Sequence, residues 1–224
     1  MTDINNIKHG IITKNTKLTK ELMILGLKTR FSKPLSWFKK GKTITVSNKM
    51  QKNYTYKLVF AAGTNIKNGG LDYEGRPITY PNFEPAFTPK QMLNYGVFEG
   101  KYCNDQIFEY PKEWYDRLDK LSPEHSDPSV NYFKIKSRQP LQEWIRKKWI
   151  PCHPTDMDTR GWFEWYCRYW CGRRQPAVDV IQIKRWYAFI RHYGQYIKNT
   201  KGKGITMHPK RRQALLQWSW PCME

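Results

Sequence analysis

The segment 160–171, RGWFEWYCRYWC, constrains this chain more than any other part of it. Read as a helix, it spreads Trp162, Phe163, Trp165, Tyr166, Tyr169 and Trp170 around almost the whole circumference, leaving no side for water. Such a helix has to be surrounded, so it belongs at the centre of a domain. Asp158 is placed to cap its start and Gly172 to end it, while Glu164 and Arg168 stand four residues apart and can pair.

The chain has the material to surround it. Of 224 residues 39% are hydrophobic, and 10 Trp, 14 Tyr and 10 Phe make 15% aromatic, enough for one or two domains. A formal charge of +20 therefore belongs to a folded protein, since disordered polycations are poor in aromatics. Mean hydropathy is −0.78 and no apolar run approaches the length of a membrane span. The opening MTDINNIKHGIITKNTKLTK lacks the apolar core of a secretory signal. The expected compartment is cytoplasmic or nuclear, with Cys103, Cys152, Cys167, Cys171 and Cys222 as reduced thiols.

Around the aromatic segment the pattern predicts an α+β chain, predominantly α-helical, with a small N-terminal β-hairpin and a compact C-terminal helical domain. Thr43–Val46 and 54–60 are β-branched and aromatic, and the polar run between them reads as a hairpin loop. Thr88, Pro89 and Gln91 form a helix start with a capping box, and Gly96 a stop. Further helices are expected over 111–121, 140–150 and 177–199, the last with an apolar stripe of Ile183, Trp186, Ile190, Tyr193 and Ile197. Three units follow: 1–70 a basic arm with the β element, 71–86 a turn-rich loop or linker, and 87–224 the Trp-rich helical domain.

Charge is segregated along the chain. Residues 1–70 hold 14 basic and 2 acidic side chains, 71–133 hold 6 and 11, and 134–224 hold 19 and 6. A positive potential gathered at the two ends suits a surface laid against a polyanion. Lys184, Arg191 and Lys198 share one side of the 177–199 helix. Lys201 and Lys203 lie in a glycine-rich loop, and Lys210, Arg211 and Arg212 fill the first turn of a last helix that starts at Pro209. Cations there oppose the helix dipole, which suggests an anion at that end. With Arg173 and Arg174 they make the candidate phosphate-binding set.

Aromatic side chains admit two uses. Eight of the ten Trp lie beyond residue 140, where they can stack bases among cations or simply pack between helices. Helical spacing assigns Trp144, Trp162, Trp165, Trp186 and Trp218 to the core, and leaves Trp149, Trp170 and Trp220, near helix ends, as the ones with exposed edges. For chemistry the candidates are the carboxylates Asp105, Glu109, Asp156 and Asp158, with local structural uses open to Asp105 in a turn, Glu109 near a helix start and Asp158 as an N-cap. Cys152, His153, Cys167 and Cys171 could hold zinc but lack a short Cys-x-x-Cys knuckle. P-loop, dinucleotide, kinase, nucleophile-elbow and metalloprotease motifs are missing, as are heptads and long repeats, and no cofactor is called for.

The strings GVFEGKYCND, EYPKEWY, DTRGWFEWYCRYWCGRR, QIKRWYAFIRH and RRQALLQW together resemble an uncharacterised family of Trp- and Arg-rich globular proteins, over roughly 87–218. The resemblance implies that this stretch is one unit and carries over no activity and no site residues. Its likeness stops short of the basic N-terminal part.

The expected function is nucleic-acid binding, with DNA favoured, through the basic face of the helical domain and the basic arm. Two alternatives stand beside it: an enzyme acting on a nucleic-acid base or nucleotide, and an adaptor whose basic face docks an acidic protein. No membrane partner is expected.

Overall fold

A computed structural model describes residues 24, 26–28, 30–46, 53–67, 74, 76, 83–102, 105–122, 125–148 and 158–224. The architecture is α+β and mainly α-helical, with one two-stranded antiparallel sheet. Strand β1, Thr43–Val46, pairs with β2, Tyr54–Lys57, Thr43 lying opposite Lys57 and Val46 opposite Tyr54. Alternation turns Ile44, Val46 and Tyr56 inward. β2 stops three residues short of the expected end because the chain leaves its partner strand for the helical part: the Val59 and Phe60 amides both donate to Gly172 O, at 2.8 and 3.2 Å.

Helix α1, Pro89–Asn94, carries the capping box its sequence specifies. The Gln91 amide donates to Thr88 Oγ1 at 3.2 Å, and the Thr88 amide donates to Gln91 Oε1 at 2.8 Å. Over 111–121 the expected helix is instead two 3₁₀ turns, Lys112–Tyr115 and Leu118–Lys120, broken by the non-helical backbone of Arg117. Trp114, Tyr115 and Leu121 are buried all the same, Trp114 stacked on Tyr110, so apolar side chains at helix-like spacing reach the core from separate turns. Helix α2, Leu141–Arg146, is short; Glu143 in it pairs with Arg146 and, at 3.1 Å, with Lys147.

Helix α3, Trp162–Trp170, is the centre of the domain, buried from Trp162 to Tyr169. Phe83, at the end of the segment expected to be a linker, is buried among Trp165, Tyr166, Tyr169 and Trp186. Gly161, at φ 89°, occupies the N-cap position in place of Asp158, whose carboxylate turns inward. The long helix expected over 177–199 is two, α4, Pro176–Ala188, and α5, Ile190–Asn199, with Phe189 between them. The break changes which face is buried. Ile183 and Trp186 are covered as expected, but beyond it Tyr196 is buried while Ile190 and Ile197 are 52% and 43% exposed. Helix α6, Pro209–Leu216, packs on α5 and closes the fold, with Leu215 and Leu216 buried. A single cluster of buried side chains runs from Phe38 and the hairpin through α3 to Cys222.

Candidate functional site

The carboxylates that sequence offers for chemistry meet guanidinium groups in the interior. Arg168, 0% exposed, donates from Nε to Glu109 Oε1 at 2.6 Å, from Nη2 to Glu109 Oε2 at 3.1 Å and from Nη1 to Asp158 Oδ1 at 3.0 Å. Its Nη2 also lies 3.3 Å from Glu164 Oε1, the i,i+4 pair the sequence predicts. Arg173 donates to Asp158 Oδ2 at 2.6 Å, and Tyr56 in β2 donates to Glu109 Oε1 at 3.2 Å. Beside this cluster Arg160 makes a two-pronged pair with Asp105, both distances 2.6 Å. The hairpin, the 105–110 turns and α3 are thus tied together by charge.

Burial alone would raise the Asp158 carboxyl, but the Arg173 and Arg168 guanidiniums outweigh it and hold the group below its usual range. For Glu164 burial prevails over Arg168 and Arg160, and its carboxyl is raised. Desolvation works against the Arg168 guanidinium, yet Glu109 and Glu164 keep it protonated. Asp105, Glu109 and Asp158 therefore spend their oxygens on structural cations, and none stands open to a substrate. Asp156 lies outside the described residues.

Thiols follow the same pattern. Cys167 and Cys171 are buried, and burial, with Glu109 nearby, pushes the Cys171 thiol well up and keeps it protonated. Cys152 and His153 lie outside the described residues. Among the described residues no group of three or more metal-ligating side chains occurs.

The ten candidate phosphate contacts divide sharply. Arg173 is 1% exposed and committed to Asp158. Arg174 lies over the Tyr169 ring at 3.6 Å and donates to the carbonyl oxygens of Tyr169, Arg173 and Asn65. Arg212, 0% exposed, donates to the backbone oxygens of Met207, Gly204, Cys222 and Glu224 at 2.5 to 2.9 Å, fastening the last residues to the loop before α6. Arg211 turns to Thr200 Oγ1 at 3.0 Å. The three-cation anion site expected at the start of α6 is thereby taken apart: Arg211 bonds a hydroxyl beyond α5, and Arg212 saturates several carbonyl oxygens at once, a service that needs a multidentate donor.

The other six candidates are in solvent. Lys184, Arg191, Lys198, Lys201, Lys203 and Lys210 are all exposed. Arg191 and Lys198 stand two turns apart on α5, about 10 Å along the helix and close enough for their fields to add at physiological salt, while Lys184 belongs to α4. Lys201 pairs with Glu224 at 2.5 Å.

The tryptophans are mostly core. Trp162, Trp165 and Trp186 are buried as expected, whereas Trp220, expected to keep an exposed edge, is buried too, because it stacks on Trp186 at 4.4 Å. Trp218 and Trp144 are only half-buried, like Trp170; Trp149 lies outside the described residues. Sequence reasoning passed over Phe189 and His192, which stack at 4.3 Å on the face of the α4–α5 break. Their three-residue separation was the available signal.

Comparisons with protein-family models, with curated proteins and with solved structures match nothing. Among the described residues no helix is long and apolar enough to cross a membrane.

Proposed function

We propose that the protein binds nucleic acid, DNA in preference to RNA, through the face formed by α4, α5 and the loop before α6. One observation carries this reading. Between Asp179 and Glu224 there are nine Lys and Arg and no acidic residue, and six of those cations lie exposed. A charge distributed for solubility alone would be interspersed with acids, as it is over 71–133. In the same stretch Arg212 is buried and Arg211 bonds Thr200, so the exposed lysines and Arg191 are the cations that face solvent. The base-enzyme alternative gains nothing from Asp105, Glu109 and Asp158, whose oxygens are already taken.

Counterion release tests the reading. If six cations engage phosphates, log K against log salt has a slope of about −5 on duplex and about −4 on single strands, a loss of roughly 10³ between 50 and 200 mM salt for duplex. Anisotropy titration of the purified, nuclease-treated protein against labelled DNA over that series measures it. A flat response overturns the proposal, and a stoichiometric complex with an acidic protein that DNA does not displace would favour the adaptor reading instead.

A further inference from the structure

Four aromatic rings below His192 form a ladder that runs from the basic face into the core. The His192 ring stacks on Phe189 at 4.3 Å and 25°, Phe189 on Trp218 at 5.1 Å and 14°, Trp218 leans on Trp162 at 5.1 Å and 31°, and Trp162 stacks on Tyr166 at 5.0 Å and 22°. Burial deepens along it: His192 is exposed, Phe189 and Trp218 half-buried, Trp162 and Tyr166 covered. Phe189, Trp218 and Trp162 each have a ring on either side. His192 ends the row in solvent.

The position of that end matters. Phe189 and His192 stack directly across the α4–α5 junction and Arg185 lies over the Trp218 ring that backs them, so the three share one patch, and Arg191 is the chain neighbour of His192. The Arg185 guanidinium lies 5.9 Å from the Trp218 ring centre, and Gln182 holds it through a 3.3 Å bond from Nη1 to Oε1. Phe189 keeps helical φ and ψ of −73° and −8° between the two helices, and its ring lies between His192 and Trp218. A flat, rigidly backed ring is thus set beside the exposed cation Arg191. This is the combination that single-strand-binding surfaces use, where bases stack on aromatic faces and the backbone follows the charge. In a duplex the base faces are already stacked on one another and cannot reach such a ring.

We propose that His192, backed by Phe189 and Trp218, is a stacking platform for an unpaired nucleobase, and that the nucleic acid recognised is therefore single-stranded. The inference rests on the nucleic-acid reading above and deepens it. Phosphates flanking the stacked base lie against Arg191 and Lys198.

Three fluorescein-labelled probes of 12 nucleotides separate the two claims: oligothymidylate, the same length of abasic sugar-phosphate, and a duplex. Stacking of one base predicts that oligothymidylate binds roughly 5- to 100-fold tighter than the abasic strand. His192→Ala should remove that advantage and leave abasic binding unchanged, and His192→Phe, which keeps a ring, should restore it. His192 is exposed, so both variants should keep the wild-type circular dichroism spectrum and melting temperature. If oligothymidylate and the abasic strand bind the wild type equally with steep salt dependence, the platform is overturned while the nucleic-acid reading stands. The same holds if His192→Ala weakens every probe alike, or if the duplex binds best. No binding of any probe at low salt overturns both.

Discussion

Arg168 Nε donates to Glu109 Oε1 at 2.6 Å across 59 residues of sequence, inside a core where neither side chain is more than 3% exposed. Replacing Arg168 by Ala leaves Glu109 and Glu164 buried without their cation and Asp158 with only Arg173. Breaking a buried pair from one side costs about 3–5 kcal/mol, which for a domain of this size lowers the melting temperature by roughly 6–20 °C. Thermal unfolding by circular dichroism measures the loss. A shift within ~2 °C would show that the cluster contributes specificity and no stability.

Asp179 gives stability a pH dependence. Burial raises its carboxyl to about 6, even though Trp165 Nε1 and the Gln175 amide both donate to it. A carboxyl raised on folding contributes stability that is complete below its unfolded value near 4 and is lost as pH rises through 6. Wild-type stability relative to Asp179→Asn should therefore decline between pH 4 and pH 7, by at most about 3 kcal/mol. Urea midpoints at three pH values test the sign, and a gap that widens with pH contradicts it.

Two glycines should respond in opposite directions to Ala. Gly172 has φ 107°, and a Cβ there would stand 2.1 Å from Phe60 O, the backbone that joins the hairpin to α3. Gly172→Ala should destabilise by several kcal/mol, of order 3, and expose the hairpin to protease. Gly194 lies in α5 with nothing within 4 Å of its Cβ position. Gly194→Ala should raise stability by about 1 kcal/mol.

Buried and exposed cations in the last 40 residues should separate by role. Arg212→Ala removes the donor that holds the backbone oxygens of Gly204, Cys222 and Glu224, so it should lower the melting temperature and speed amide hydrogen exchange over residues 204–224. Arg191→Glu with Lys198→Glu should leave the melting temperature within ~2 °C and cut DNA affinity at least 10-fold at low salt. An equal loss of binding from Arg212→Ala at a temperature where it remains folded would argue against this division.

Local chemistry was legible wherever a few neighbouring residues decide it. The Thr88–Gln91 capping box, the Glu143–Lys147 and Glu164–Arg168 pairs, the strand pair and the encircled helix α3 all follow from spacings of two to four residues. The two 3₁₀ turns over 112–120 were not, because helical spacing records only that Trp114, Leu118 and Leu121 are apolar, not which turn carries each inward.

Charge shows the limit most plainly. From sequence alone, α3 had to be central, the net charge had to be borne mostly on the surface of the two basic segments, and the pieces of an α+β fold had to surround an aromatic core. Which arginines are surface and which are interior was decided only by the tertiary structure. Arg173, Arg174 and Arg212 read like Lys198 in a string of letters, yet Asp158, the Tyr169 ring and a ring of carbonyl oxygens claim them. A guanidinium can be buried when distant segments bring enough acceptors to it. Those acceptors come from residues as far apart as 65 and 224, and only folding brings them together.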